Sequence, residues 1–351
     1  MNVKELLHRY GDRFKIKHGK STSKDQWSAL NAMSGCREGQ YGEVALACKA
    51  CDWSGRVFQS CGHRACNQCQ NHSATQWLER QQNKLLPVTY FMVTFTLPFQ
   101  LRALAKKHQA DVYSLMFKCA TDTLKQFARN DRQLGCDIGM TGVLHTHSRR
   151  LDYHPHIHFI VPAGGLLKSR KEWRKKRGKY LFKEKNLATV FRARLLQALK
   201  QSGLWLPRDI PKAWIVDCEP VGSGLPALKY LSRYLYRGVI SNSNIMADDG
   251  DTIRFRYVNS TTGKTNIRQL PGEDFIALLL QHTLPKGFRR TRDFGFLHGN
   301  AKKTLRWVQY LLRVKLPAPT AKARPSFLCS CCAQPLSIVG FIRPRVKPQP
   351  G

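Results

Sequence analysis

Three histidines fall within five positions of "YHPHIHFIV", residues 153–161, and an apolar run follows them at once. If the stretch is a strand, His156 and His158 project from one face and Ile157 from the other, because successive side chains alternate. His154 shares their parity and is a fourth candidate. His145 lies in the preceding strand-like segment "GMTGVLHTH", across the polar turn "SRRLDY", where it could oppose the pair. Imidazoles converging from adjacent strands make an open metal site that leaves coordination positions for water and substrate. Such a site suits Zn²⁺ or Mn²⁺, and Mg²⁺ if a phosphate supplies oxygen ligands. A lone histidine would read as a satisfied surface residue; the His-apolar-His pair with a third from the next strand reads as a metal site.

Five cysteines fall between positions 48 and 69, as "CKAC" and "SCGHRACNQC". In a reducing compartment, paired Cys-x-x-Cys knuckles read better as a zinc site than as disulfides. Cys48, Cys51, Cys66 and Cys69 form two knuckles 14 residues apart, a spacing that lets the chain fold back around a tetrahedral Zn²⁺. Cys61 and His63 are alternates for one of the four. A further knuckle, Cys329 to Cys332, has no second pair nearby and binds a distant ligand or nothing. Cys36, Cys119, Cys136 and Cys218 read as ordinary interior cysteines.

In "KYLSRYLYRG", Tyr230 and Tyr234 are spaced i, i+4 and share a helix face, while Leu228, Leu231 and Leu235 occupy another suited to a core. Tyr236 points elsewhere. Alone, such a pair reads as packing. Beside a histidine-bound cation it gains a second meaning. A phenol of pKa about 10 is a poor nucleophile at neutral pH, yet it can attack a phosphodiester that a metal has polarised. Two phenols on one face could hold one DNA end while cutting again.

The elements that would position these residues follow from periodicity. "TYFMVTFTLP" alternates, with Phe91, Val93, Phe95 and Leu97 on one face and Thr94 and Thr96 on the other, as a strand does. The two histidine segments and "AWIVDCEPV" read as further strands, and "TIRFRYVNSTTGKTNIRQL" as a hairpin. Helical spacing marks "HSATQWLERQQNKLL", "ADVYSLMFKCATDTLKQFARN", "NLATVFRARLLQALKQSG", "LPALKYLSRYLYRGVI" and "GEDFIALLLQHTL". The expected division is a basic arm over 1–20, a zinc-binding DNA-recognition domain over 21–87 and a catalytic domain over 88–262. A basic helical DNA-binding region over 263–316 and a Pro-rich tail over 317–351 complete it.

Charge narrows the partner. Lys and Arg total 58 against 23 acidic residues, a net charge of +35 that calls for a polyanion, nucleic acid first. The longest apolar runs, such as "FIALLL" at 275–280, are too short to span a bilayer, so no membrane partner is expected. The opening "MNVKELLHRYGDRFK" has no apolar h-region. A cytoplasmic, nucleoid-associated bacterial protein is the expectation.

Taken together, these blocks resemble the HUH superfamily of single-strand endonucleases, named for His-hydrophobic-His. More narrowly, the chain resembles the two-tyrosine rolling-circle transposases of the insertion-sequence ninety-one family, common-region elements included. "VTFTLP" is similar to the family's core strand, "LHTHSRRLDYHPHIHFIVPAGG" to its metal motif and "LKYLSRYLYRGVIS" to its tyrosine motif. "HTLPKGFRRTRDFGFL" resembles its basic C-terminal motif and "SCGHRACNQCQ" its N-terminal zinc domain. The chain departs from the pattern at Ala65, where relatives carry a histidine, and at "HTHS", which adds His147. The resemblance implies an α+β fold: a central antiparallel sheet flanked by helices, with a small N-terminal zinc-binding domain and a basic helical C-terminal region. It implies His156 and His158, completed by His145, as ligands of Mg²⁺ or Mn²⁺, and Zn²⁺ as a structural ion. Tyr234 would be the first nucleophile and Tyr230 the second, leaving a 5′-phosphotyrosine and a free 3′-hydroxyl for host replication. Arg233 and Arg237 would steady the phosphate, and Lys286, Arg289, Arg290 and Arg292 would bind DNA. The implied partners are single-stranded DNA, the element ends and target DNA. Two alternatives stay open: a rolling-circle replication initiator or relaxase of the same chemistry, and a non-catalytic zinc-dependent DNA-binding regulator.

Overall fold

A computed structural model describes residues 1–236, 238–259, 262–315 and 327–344. Its helices are α1 Val3–His18, α2 Lys24–Ser34, α3 Asn71–Gln82, α4 Arg102–Lys107, α5 Gln109–Asn130, α6 Glu184–Gln201, α7 Leu225–Tyr236, α8 Gly272–Leu280 and α9 Lys302–Leu311. Its strands are β1 Glu43–Cys48, β2 Ser54–Phe58, β3 Tyr90–Thr96, β4 Met140–His147, β5 Tyr153–Pro162, β6 Gly164–Leu167, β7 Glu172–Lys175, β8 Val216–Pro220, β9 Ile245–Asp248, β10 Thr252–Val258, β11 Thr265–Pro271, β12 Thr291–Phe294 and β13 Leu336–Ile342. The fold is α+β, with antiparallel sheets flanked by helices, as expected. No described helix is long and apolar enough to cross a membrane. The chain divides into two compact units, one of residues 1–73, 236–283 and 316–351, the other of 74–235 and 284–315.

The second unit is built on a five-stranded sheet in the order β12-β4-β5-β3-β8, antiparallel throughout. Its strands are rich in Val, Ile, Phe and Thr, residues that fit a pleated, half-buried surface. Alternation sends Phe91, Val93 and Phe95 of β3 and Ile157, Phe159 and Val161 of β5 to one face, all of them buried. Helices α5 and α6 cover that face with Phe117, Leu124, Phe191 and Leu195, also buried. The Phe95 and Phe191 rings meet at 4.8 Å. Each of these side chains contributes about 1.5–3 kcal/mol by leaving water, so the core fixes which face of β5 points inward. The opposite face of β5 is thereby committed to His156 and His158.

Gly224 immediately precedes helix α7, and its φ of +76° and closeness to the Tyr90 ring leave no room for a Cβ. Its residues Leu228, Leu231 and Leu235 are buried, and Tyr230 on the other side is 36% exposed. The segment that follows β5 forms a hairpin, β6 with β7, which periodicity did not reveal because its two strands are only four residues each.

The first unit corrects the expected boundaries. Residues 3–18 are a helix and not a loose arm. An Asn2–Glu5 capping box starts it, and Val3, Leu6, Leu7, Tyr10 and Phe14 bury one stripe against α2 and α8. The dense charge on the outer face hid that stripe in the average polarity of the segment. The hairpin β10–β11 pairs in unbroken register from Thr252↔Pro271 to Val258↔Thr265, with β9 on its other side. The remaining sheet has the order β13-β1-β2. Within the expected Pro-rich tail, residues 336–342 are therefore a paired strand, and the stretch expected as one basic region over 263–316 is shared between the two units.

Candidate functional site

The β4–β5 hairpin places His145 directly opposite His156 and Val143 opposite His158, so the three imidazoles share one face. Their ring centroids are separated by 5.2 Å (His145–His156), 4.7 Å (His145–His158) and 4.8 Å (His156–His158). One nitrogen from each ring lies within 4.8 Å of the others. The neighbours orient the rings. His156 Nδ1 donates to the main-chain oxygen of His154 at 2.7 Å, which fixes the proton on Nδ1 and leaves Nε2 as a lone pair. His158 Nδ1 lies 2.8 Å from Thr94 Oγ1 on β3, the residue that pairs with it across the sheet.

The site is dry. Burial holds His156 near a pKa of about 4 and His158 near about 3, and keeps His145 well below the ordinary imidazole value, with the neighbouring imidazoles adding to the effect for His145 and His158. The rings are neutral at physiological pH, which is the form that binds a cation. Three neutral imidazoles, two of them with rings oriented by hydrogen bonds, fit a divalent ion with coordination positions to spare.

His147 and His154 stay outside this group. A bulge between His145 and His147 shifts the register, and His147 stacks beside His145 at 6.3 Å and pairs with Tyr153. His154 sits 5.1 Å from His156 and accepts a hydrogen bond at Nδ1 from Arg102. Sequence reasoning did not single out Arg102 or Thr94. Thr94 was legible from the alternation of β3. Arg102 carried no local signal, because only the tertiary fold brings it against β5. The Arg102 Nε is buried without a hydrogen-bond partner, its charge lies over the Phe99 ring at 5.4 Å, and desolvation lowers its pKa. Among the described residues it forms no salt bridge within 4.0 Å.

The tyrosine helix ends beside this sheet. Arg290 Nη1 donates to Leu235 O at 3.1 Å, and Arg290 O accepts from Leu144 N at 2.9 Å, one residue before His145. Tyr234 belongs to α7 by its backbone, but its side chain, that of Tyr236 and all of Arg237 lie outside the described residues. Arg233 is exposed. In the basic segment, Lys286 and Arg289 are exposed, whereas Arg290 and Arg292 turn inward. The Arg292 guanidinium lies 4.5 Å over the Phe117 ring and 5.0 Å from that of Phe288, and its Nη2 donates to Ser114 Oγ at 3.3 Å. For Arg290 and Arg292 the geometry is that of residues joining elements of the fold.

The cysteines are grouped differently from the expectation. Cys48, Cys51, Cys66 and Cys69 do not come together. Cys66 and Cys69 meet Cys61 and Cys36, all four sulfurs lying within 4.8 Å, and Cys48 and Cys51 meet Cys329 and Cys332. Cys61, an alternate, is thus in the first group, while His63 turns its Nδ1 to the backbone amide of Ala65 at 3.2 Å. Cys36, read as an ordinary interior residue, completes it. The Cys61–Cys69 sulfurs are 3.7 Å apart, against about 3.8 Å for the edge of a tetrahedron with Zn–S bonds near 2.3 Å. The donor set fits structural zinc.

The chain thus has an antiparallel sheet with a His-hydrophobic-His strand at its centre and cysteine groups that could hold metal, and proteins of similar sequence name the class. A family model described as "Transposase zinc-binding domain" matches residues 6–97, and one described as "Putative transposase" matches 139–304. The "Putative transposase y4qJ" of Sinorhizobium fredii is 31% identical over 348 residues, covering 92% of this chain and 87% of that protein. The "Transposase for insertion sequence element IS801" of Pseudomonas savastanoi pv. phaseolicola is 30% identical over 302 residues, covering 76% of this chain and 68% of that protein. The chain belongs to the IS91 family of transposases, with the zinc-binding domain of that family at its N-terminus. Among solved structures, "Conjugative Relaxase TrwC in complex with mutant OriT Dna" overlaps 36% of this chain and 48% of that one at 18% identity and a TM-score of 0.30, too partial a likeness to bear on function.

Proposed function

We propose that this transposase cuts and rejoins single-stranded DNA at the ends of its element through a covalent 5′-phosphotyrosine. The observation that carries the reading is the convergence of His145, His156 and His158 on the sheet face left free by the core. Mg²⁺ or Mn²⁺ held by the three imidazoles would draw electron density from the scissile phosphate and fix it in place. The chain supplies the rest. His154 O and Thr94 Oγ1 hold the His156 and His158 rings in orientation. Arg102, a half-buried cation bonded to His154, brings positive charge suited to a phosphate beside the histidines.

The attacking group is a tyrosine of α7, with Tyr234 as the primary nucleophile and Tyr230 as the second. The phenol oxygen forms the new bond to phosphorus and the bond to the 3′ oxygen breaks, that oxygen leaving as a hydroxyl with the proton the phenol gives up. The phosphodiester energy is kept in the tyrosyl ester, so the reverse reaction can join the strand to a new 3′-hydroxyl, and host replication can extend the one released. Lys286 and Arg289, both exposed, would bind backbone phosphates along with much of the +35 charge.

The test is incubation of the purified chain with a labelled single-stranded element end in Mg²⁺ or Mn²⁺. A covalent protein–DNA adduct, lost in Tyr230→Phe/Tyr234→Phe, is expected. No adduct and no cleavage under conditions where the DNA is bound would favour a non-catalytic DNA-binding regulator.

A further inference from the structure

We propose that Cys48, Cys51, Cys329 and Cys332 form a second zinc site, separate from the Cys36–Cys61–Cys66–Cys69 group, and that this metal pins the C-terminal strand to the N-terminal ribbon. The inference does not depend on the nuclease reading above.

The four sulfurs come from two Cys-x-x-Cys knuckles nearly 280 residues apart and lie within 4.8 Å of one another. The separations are 3.5 Å for Cys48–Cys332 and 3.7 Å for both Cys51–Cys329 and Cys51–Cys332. These match the edge of about 3.8 Å expected of a tetrahedral four-thiolate zinc shell. They are far from the roughly 2.05 Å of a disulfide, and all four thiols are free.

The knuckles are built alike. The amide of Ala50 donates to Cys48 Sγ at 3.4 Å, and the amide of Cys331 donates to Cys329 Sγ at 3.4 Å. A backbone N–H aimed at a sulfur two residues earlier favours the thiolate, the ligand form of cysteine. The site closes where β13 runs antiparallel to β1, with Leu336 paired to Cys48 at its rim.

Energetics point the same way. Among the described residues, the sheet β13-β1-β2 buries only Leu46, Cys329 and Leu336, with a few half-buried neighbours such as Val44, Trp53 and Val57. That core is too small to hold three strands, one of them joined to the others only through a remote part of the chain. Small folds in this position depend on a metal. Neither family match reaches Cys329 or Cys332, since one ends at residue 97 and the other at 304.

The test uses the full chain. Zinc analysis should return two equivalents per chain, and Cys329→Ser/Cys332→Ser should retain one. In the unmodified protein, mass-mapped alkylation should label exposed Cys331 at once. Cys48, Cys51, Cys329 and Cys332 should react only after a chelator is added, and amide exchange over 336–342 should then rise. The Cys331→Ser variant should keep both equivalents. One equivalent in the unmodified chain, two retained in the double variant, or labelling of Cys329 and Cys332 as fast as Cys331 without chelator would each overturn the proposal.

Discussion

Arg290 and Leu235 are joined by a hydrogen bond of 3.1 Å from the guanidinium Nη1 to the main-chain oxygen near the end of the tyrosine helix. The same arginine's carbonyl accepts from Leu144, so one residue ties the C-terminal turn of α7 to the strand that carries His145. A cation at a helix C-terminus also complements the partial negative charge of the carbonyls there. The spacing of nucleophile and metal site would rest in part on this residue.

Substituting Arg290→Gln should therefore lower adduct formation far more than it lowers DNA affinity. Loss of a charge-assisted hydrogen bond is worth about 1.5–3 kcal/mol, enough to loosen the helix end without unfolding the unit. Parallel gel-shift and adduct assays separate the two effects. A drop in binding matched by an equal drop in cleavage would show that Arg290 contacts DNA instead.

His156→Ala and His158→Ala should abolish cleavage and leave DNA binding largely intact, because most binding free energy comes from Lys and Arg contacts to phosphates. Thr94→Val should act through His158 alone. It removes the hydroxyl that lies 2.8 Å from His158 Nδ1, and loss of such an orienting partner typically weakens metal binding about 10–100-fold. Titration with Mn²⁺ followed by electron paramagnetic resonance checks it; unchanged affinity would mean that Thr94 does not orient the ring.

The two tyrosines separate a one-cut nickase from a strand-transfer enzyme. Tyr234→Phe should form no adduct, whereas Tyr230→Phe should cut once, trap the adduct and fail to complete transposition. Phenylalanine keeps the ring and removes only the attacking oxygen, so folding is spared. The double variant distinguishes catalysis from packing: an adduct that survived it would remove α7 from the mechanism.

Arg102→Gln should slow cleavage at saturating Mn²⁺ without lowering Mn²⁺ affinity, since Arg102 bonds to His154 and not to the three clustered imidazoles. Arg102→Lys should recover part of the rate, as it keeps the charge but loses the planar fork. Equal losses in both variants with unchanged DNA affinity would leave charge at this position without a role.

Cys36→Ser should release one zinc equivalent and destabilise the first unit, as removal of any one ligand from a closed four-thiolate shell does. Zinc content measured against thermal unfolding checks it. Retention of full zinc would return Cys36 to the role of an interior thiol.

Much of the histidine-bearing face was legible from local pattern. Strand alternation is a two-residue property, so the parity of His156 and His158, and the apolar parity of Phe91, Val93 and Phe95, needed no tertiary information. The pairing of His145 with His156 was nearly as local, because a short polar turn joins their strands. The same holds for α7, where a period of 3.6 set Leu228, Leu231 and Leu235 apart from Tyr230. The cysteine groups were different. Spacing alone joined Cys48 and Cys51 to the nearest knuckle, Cys66 and Cys69, but sequence distance says nothing about which strand edge a remote segment will fill. Pairing of β13 with β1 brought Cys329 and Cys332 to Cys48 and Cys51, and the first cluster then closed on Cys61 and Cys36. Arginine roles also waited on the fold. Arg102, Arg290 and Arg292 carry the same charge as exposed Arg289, and only burial, decided by long-range packing, distinguishes a guanidinium that faces solvent from one that joins elements or stands beside the histidine cluster.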